Sequence, residues 1–229
     1  MNRTTVFGAL IVSWLLAGAV AEVAASNDAS ARAILVPGSG TYSRKISTDN
    51  PHAQAFFDQG LRLAWGFYFP ESIASYQEAA RLDPTHPMPY WGMAHAMGPN
   101  PNSRYARMPD DPKGEGLKAI KNALARIDRA TPREAELIRA LFVLYDKGAI
   151  PDNNKRDQAY LSAMRKLNQA YPDDSDIAAL YAASYMSIRR WDYWDSDGEP
   201  KGETMSVAAA LEHIMAKDMS NPGVLHLHI

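Results

Sequence analysis

Apolar side chains recur at helical spacing along most of this 229-residue chain. Leu61 and Ala64, for example, follow Phe57 at i+4 and i+7, and this stripe predicts one buried face of an α-helix. No segment alternates apolar and polar positions convincingly, so we expect almost no β-sheet. The helices predicted in this way cover Pro51 to about Tyr68, Pro70–Asp83, Pro87–Met97, Lys113–Ala130, Pro132–Lys147, Asn154–Ala170, Asp173–Ile188 and Thr204–Met219, with another beginning at Asn221.

Four dipeptides mark helix starts independently of the apolar pattern. In each of them, a side chain that makes a good N-cap precedes a proline that fits the first helical position. Thr131 is also followed by Glu134, which completes a capping box. The four dipeptides are Asn50-Pro51, Asp111-Pro112, Thr131-Pro132 and Asn221-Pro222.

From Phe56 onward, large, small and helix-stopping residues are spaced as in the 34-residue tetratricopeptide (TPR) repeat, which is a pair of helices. A small residue in each helix lets the two backbones approach, and aromatic rings fill the space beside that contact. We therefore predict an all-α fold for residues 50–229, a TPR-like α-solenoid of stacked antiparallel helix hairpins with long inter-repeat insertions. The matching residues are Phe56, Gly60, Leu63, Ser72, Tyr76, Ala79 and Pro84, then Tyr90, Met93, Ala94 and Met97, and later Ala178, Tyr181, Ala182 and Tyr185.

Five residues are candidates for contact with a partner. By analogy with TPR repeats, three positions of each unit line a concave groove. In the first unit these positions carry Phe57, Leu61 and Trp65, and in the second they include Trp91 and His95. Large rigid aromatic side chains dominate binding hot spots, so we expect some of them to face the groove. The alternative is that these aromatic residues form the core of the repeats.

The sequence favours a binding protein over an enzyme. It contains no G-x-S-x-G, H-E-x-x-H, dinucleotide or phosphate-loop motif. The formal net charge of −2 provides no basic field for nucleic acid. The absence of cysteine excludes disulfides and thiolate metal sites. We therefore predict a protein or peptide partner, no nucleic acid and no cofactor.

The chain begins with the pattern of a secretory signal. Arg3 precedes an uncharged, mostly apolar run from Val6 to Val20, which is short for a membrane span, and Ala19-Val20-Ala21 is a small-x-small cleavage site. We predict a signal peptide over residues 1–21 and an exported protein, periplasmic or secreted, without stable membrane insertion. An uncleaved N-terminal anchor is the alternative. Residues 22–49, rich in Ser, Ala and Gly, are predicted to form a flexible linker or arm.

A second hypothesis is a transition-metal site in a metal-binding protein or metal-dependent enzyme. Its candidate ligands are His95 and His226, which stand on different predicted helices. His226 and His228 cannot bind one metal from the same helix, because residues i and i+2 lie about 200° apart. The competing interpretation is that these histidines are hydrogen-bonded contact residues.

Five runs carry a resemblance: Phe56-Phe57-Asp58-Gln59-Gly60-Leu61, Glu78-Ala79-Ala80-Arg81-Leu82-Asp83-Pro84, Tyr90-Trp91-Gly92-Met93-Ala94, Gly98-Pro99-Asn100, and the final nine residues from Asn221. They resemble a family of exported bacterial TPR-repeat proteins of unassigned activity, over roughly residues 51–229. In that family the histidine matched by His226 is followed by a second histidine four residues on and then by a glutamate. The sequence stops at Ile229, before that second histidine, and residue 228 is histidine where an aromatic is usual. We expect a chain shortened at this end, or one completed by another molecule.

Overall fold

A computed structural model describes residues 32–98 and 112–228. Within these ranges the structure is all-α, and the one β-bridge is an isolated pair between Trp194 and Pro200. The predicted helical fold class is confirmed there, whereas the predicted signal peptide lies outside the described residues. The helices are α1 (Pro51–Trp65), α2 (Phe69–Leu82), α3 (Met88–Met97), α4 (Pro112–Leu124), α5 (Pro132–Val143), α6 (Asn153–Ala170), α7 (Ser175–Arg189), α8 (Thr204–Met215) and α9 (Pro222–His228), with a 3-10 helix at Ile127–Arg129.

Side-chain caps fix three of the predicted helix starts. The Asn50 side chain accepts hydrogen bonds from two amides in the first turn of α1, and the Asn221 side chain does the same for α9. Thr131 and Glu134 form the predicted capping box at the start of α5. Asp111, the fourth predicted cap, lies outside the described residues.

Helix α1 ends at Trp65 rather than near Tyr68. Phe67 adopts a left-handed conformation with φ of 63°. The Tyr68 amide donates to the Leu63 carbonyl, and the Phe67 amide donates to the Ala64 carbonyl. This pair of hydrogen bonds is a Schellman motif in which phenylalanine takes the position that is usually glycine. The apolar pattern of the sequence does not indicate that the helix ends in this motif.

Tyr76 is the packing centre of the first three helices. Its fully buried ring lies between Gly60 of α1 and Gly92 of α3. A Cβ atom would lie 2.8 Å from the ring at Gly60 and 2.4 Å from it at Gly92, so both positions need glycine for this approach. Phe57 contacts the same ring, with centroids 5.4 Å apart. The Tyr76 ring therefore packs directly on two glycines, one in each neighbouring helix.

Each helix packs on its neighbours in sequence, from α1 and α2 through to α8 and α9. Further contacts join α1 to α3, α3 to α5 and α7 to α9, so the helices form a layered arrangement. Helix α9 also contacts α1, which brings the end of the described chain back to its first helix. Among the described helices, none combines the length and apolar character needed to cross a bilayer.

Residues 42–48 pack into the helical domain, which differs from the loose arm that the sequence predicts. Tyr42 and Ile46 are buried in the main hydrophobic core. Side chains on the polar face of α1 bind the backbone of this segment, and Glu134 of α5 accepts from the Ser47 amide. These hydrogen bonds join the main chain of the segment to side chains of the helices. The segment has no apolar periodicity of its own, so its ordered packing could not be predicted from the sequence.

Arg44 ties this segment to the start of α7. Its Nη1 atom lies 2.7 Å from Asp174 Oδ1 and 2.9 Å from Asp176 Oδ2, and all three side chains are almost fully buried. The Tyr42 hydroxyl donates to Asp176 at 2.8 Å, and the Asn221 amide donates to the other oxygen of Asp176 at 3.0 Å. Through this Arg44 network, the N-terminal segment, α7 and the cap of α9 hold one another in place.

Candidate partner-binding site

Four of the five residues predicted to line a groove are part of the core. Phe57, Leu61, Trp65 and Trp91 are each at most 3% exposed. Gly223 at the start of α9 packs on the indole of Trp65, where a Cβ atom would lie 2.5 Å from the ring. These four residues do not line an open groove as predicted, because neighbouring helices cover this face. An open binding surface has to be sought elsewhere.

His95, the fifth predicted contact residue, remains partly exposed. Its imidazole stacks on Trp91 with centroids 5.3 Å apart and an interplanar angle of 4°, and it lies 5.6 Å from the Trp65 ring. Burial lowers the pKa of His95 to about 4. Its Nδ1 and both indole nitrogens are buried without a hydrogen-bond partner among the described residues. Burial therefore keeps this histidine neutral down to about pH 4.

Replacing His95 by phenylalanine should remove a pH dependence of stability. In the unfolded chain histidine binds a proton below about pH 6.5, whereas in the folded protein the pKa of His95 is about 4. The unfolded state therefore binds more protons in this window, and the wild type loses stability as the pH falls. Urea unfolding should show His95→Phe gaining about 3 kcal/mol relative to wild type between pH 7 and pH 4. Parallel stability curves would contradict the lowered pKa.

The two candidate metal ligands have different ring contacts among the described residues. The His95 ring contacts the two tryptophans, whereas the His226 ring contacts Phe67 edge-on at 4.8 Å. His228 lies 3.5 Å from Glu212, so the two C-terminal histidines face different neighbours, as their spacing predicts. In residues 32–98 and 112–228, no three His, Asp or Glu side chains are placed to hold a metal ion.

An open cavity lies between the α7–α8 loop, α8 and α9. Its volume is about 590 Å³, within the range of ligand pockets. Most of its wall is aromatic or aliphatic, and we call it the aromatic recess. It is lined by Tyr185, Met186, Trp191, Tyr193, Trp194, Thr204, Met205, Val207, Ala208, Leu211, Glu212, His226, Leu227 and His228.

Three large side chains at the recess are unusually exposed. Trp191 is 70% exposed, Trp194 50% and Met205 56%. Burying such a side chain is worth about 1.5–3 kcal/mol, so leaving three of them in water forgoes considerable stability. Tryptophan and methionine are enriched at protein interfaces, and tryptophan is enriched among hot spots. The recess therefore has the composition of a contact surface.

The backbone that presents Trp191 is strained. Arg190 and Trp191 both have positive φ, 47° and 70°, where a residue with a side chain costs about 1 kcal/mol or more. The Asp195 carboxylate accepts from the amides of Asp197 and Glu199, which folds the loop into a tight turn. Strain and local hydrogen bonds together fix the direction in which the loop displays its aromatic rings.

The base of the loop is anchored to α7. The Tyr185 hydroxyl donates to the Lys201 carbonyl at 2.6 Å, and the Thr204 hydroxyl lies 3.0 Å from the carbonyl oxygen of Tyr193. Glu203 accepts from Tyr181 at 2.7 Å and also pairs with Arg165. These bonds give the exposed rings a rigid support. A preorganised contact surface loses less conformational entropy on binding.

The sequence carries a partial signal for the recess. The loop between Trp191 and Glu203 is dense in aromatic and acidic residues, but its spacing matches no repeat position. What sequence reasoning missed is that Trp191 and Trp194 are exposed while the aromatic residues of α1 and α3 are buried. Met205 gives no signal, since one methionine at a helix start is unremarkable on its own.

Comparisons with known proteins identify no relative of this chain. No protein-family model, no curated protein and no solved structure matches it. The resemblance to exported TPR-repeat proteins therefore stays a prediction from sequence.

Proposed function

We propose that this protein is a binding scaffold that holds a peptide or protein partner, and that the aromatic recess is the contact surface. The observation that carries the proposal is the pair of exposed tryptophans, Trp191 and Trp194, at the rim of a cavity of about 590 Å³. A partner side chain that enters the recess would bury these rings. Burying the rings would contribute to the binding free energy, because in the unbound protein their apolar surface is exposed to water.

The charge around the recess indicates what flanks such an anchor. Glu212 lines the recess. Asp197 and Glu199 stand on the loop that carries the exposed tryptophans, and neither of these two carboxylates has an ion-pair partner among the described residues. An apolar or aromatic anchor next to basic residues would complement this surface. Such rim charges act mainly on the association rate and its salt dependence.

Two further elements of the proposal come from the sequence. The repeat spacing and the packing of successive helices support a TPR-like stack of hairpins as the architecture of the scaffold. The N-terminal pattern supports export to the periplasm or beyond, where the partner would be met. The partner surface differs from the predicted groove, because α9 and its neighbours cover the aromatic face of α1.

Capture of exported proteins from the native cells tests the proposal. Immobilised wild-type protein should retain a partner. Trp191→Ala and Trp194→Ala should each lower the affinity for that partner by about 30-fold, which is the size of a hot-spot effect. Met219→Ala is the matched control, because Met219 is 60% exposed and lies outside the recess. A partner retained equally by all variants would refute the assignment of the recess.

A further inference from the structure

The wall of the aromatic recess carries one permanent charge, and that charge is negative. Glu212 of α8 is the one carboxylate among its described lining residues, and the lining contains no lysine or arginine. The other lining residues are aromatic, aliphatic or uncharged polar, apart from His226 and His228, whose charge depends on pH. An anionic ligand would therefore find no permanent cation in the recess to bind it.

The cations at the two ends of the aromatic loop lie outside this lining. Arg189 and Lys201 both pair with Asp192. The Nε atom of Arg190 donates to the Ser187 carbonyl at 3.4 Å. The positive charges around the loop are thus directed to neighbouring groups of the protein, and the carboxylate in the recess is not paired with any of them.

The Glu212 carboxylate is available to a ligand. Its side chain is 64% exposed, and its contact among the described residues is with His228, whose Nε2 atom lies 3.5 Å from Oε1. This distance is at the limit of a hydrogen bond, so the carboxylate keeps most of its capacity to accept. A ligand that fills the recess removes water from Glu212. A wholly apolar ligand would leave the carboxylate uncompensated, whereas a cation replaces the lost hydrogen bonds.

The aromatic residues of the recess supply a second kind of contact for a cation. Trp191 and Trp194 are 70% and 50% exposed, so each indole has ring surface open to a ligand. Tyr185 and Tyr193 line the same cavity, with ring centroids 6.2 Å apart. The face of an aromatic ring attracts cations, and tryptophan does so most strongly. A guanidinium suits rings beside a carboxylate better than an ammonium does, because it stacks on aromatic faces and can pair with a carboxylate through two parallel hydrogen bonds.

We propose that the aromatic recess binds an arginine side chain of the partner, whose guanidinium pairs with Glu212 and lies against the exposed indoles of Trp191 and Trp194. This inference rests on the proposed function and names the basic residue that enters the cavity. The aliphatic stem of the arginine packs on the apolar wall. A cavity of about 590 Å³ takes a drug-sized ligand, so the arginine and an adjacent apolar or aromatic residue of the partner fit together.

A blocked glycine-arginine-glycine tripeptide, titrated into the full chain, provides the probe. Its binding should shift the indole N–H signals of Trp191 and Trp194 in NMR spectra, with a Kd in the millimolar range. The same tripeptide with citrulline, which has the shape of arginine without its charge, should bind about tenfold more weakly or worse. A lysine tripeptide should bind about threefold more weakly. Absence of binding, or equal binding of the citrulline peptide, would overturn the proposal, and equal binding of the lysine peptide would overturn the choice of arginine.

Glu212→Gln tests the contribution of the carboxylate. It should weaken binding of the arginine tripeptide about tenfold, because the charge-assisted pair is lost while the side chain keeps its shape. Glu136→Gln is the matched control, since Glu136 is exposed and stands on α5, outside the recess. Equal binding of the arginine tripeptide to wild type and Glu212→Gln would overturn the proposal.

The captured partner separates this inference from the proposed function. A partner that Trp191→Ala loses but Glu212→Gln retains with full affinity would leave the recess as the contact surface and would overturn the arginine. Binding of the arginine tripeptide through Glu212, without capture of any partner, would support the cation site and count against the proposed function.

Discussion

Replacing Arg44 by methionine will lower the free energy of unfolding by about 3 kcal/mol at neutral pH. Methionine keeps much of the side-chain volume but leaves Asp174 and Asp176 without the cation that lies 2.7 Å and 2.9 Å from their oxygens. Both carboxylates are buried, and a buried charge without a partner is costly. Asp174 keeps Arg133 at 3.1 Å, so the loss falls at the lower end for broken buried pairs.

The effect of Arg44→Met should shrink in acid. Burial opposes ionisation of Asp174, but Arg44 and the hydrogen bonds outweigh it, so the pKa of Asp174 is lowered. A lowered carboxyl pKa contributes stability above the unfolded value of about 4, and that stability is lost as the pH falls further. Urea unfolding at pH 7 and pH 3 measures both values. Lys45→Met, at the exposed neighbouring residue, should stay within about 0.5 kcal/mol of wild type.

Equal stability of Arg44→Met and Lys45→Met at neutral pH would show that the N-terminal segment is not held by its buried ion pairs. Chymotrypsin digestion offers a second readout, since release of the segment would expose Tyr42, which is buried in the folded chain.

Replacing Gly92 by alanine will destabilise the protein by about 2–3 kcal/mol, although alanine is the better helix former by about 1 kcal/mol. The new Cβ atom would lie 2.4 Å from the Tyr76 ring. That ring has little room to retreat, because its other side packs on Gly60, where a Cβ atom would lie 2.8 Å from it. Overpacking therefore outweighs the gain in helix propensity.

Gly148→Ala, in a turn, is the control for a glycine with room for a methyl group. The nearest atom to a Cβ at Gly148 is an oxygen of Asp146 at 3.5 Å, which is an ordinary contact. A double-mutant cycle with Tyr76→Leu separates overpacking from other causes, because the smaller side chain should remove most of the penalty at residue 92. A Gly92→Ala protein as stable as wild type would contradict the packing described around Tyr76.

Local chemistry made the helices of this fold predictable. The caps at Asn50, Thr131 and Asn221 depend on a few neighbouring residues, and each is present in the structure. Gly60 and Tyr76 stand on helix faces set by helical periodicity, and the Tyr76 ring packs directly on Gly60.

Burial of one residue by others that are distant in the sequence could not be predicted. Repeat spacing cannot show that Gly223 covers Trp65, because the two residues lie at opposite ends of the domain sequence. The order of residues 42–48 depends on Gln54, Asp58 and Arg62, which read as an ordinary polar helix face. A polar face that binds backbone and one that faces water have the same sequence pattern.

The aromatic recess could be predicted from the sequence only in part. An aromatic loop beginning at Trp191 is visible in the sequence, but its display depends on two adjacent non-glycine residues with positive φ. Such conformations are uncommon for residues other than glycine, so the residue types in the sequence do not indicate them. The exposure of Trp191 and Trp194 had to be found in the structure.

Site-specific photocrosslinking in the native cells can show whether a partner contacts the aromatic recess. A benzophenone amino acid placed at residue 194 reports on what touches the recess, and the same group at residue 219 reports on exposed surface outside it. We expect a discrete crosslinked partner from residue 194 and none from residue 219. A partner crosslinked at residue 219 but absent at residue 194 would contradict the assignment of the recess as the contact surface.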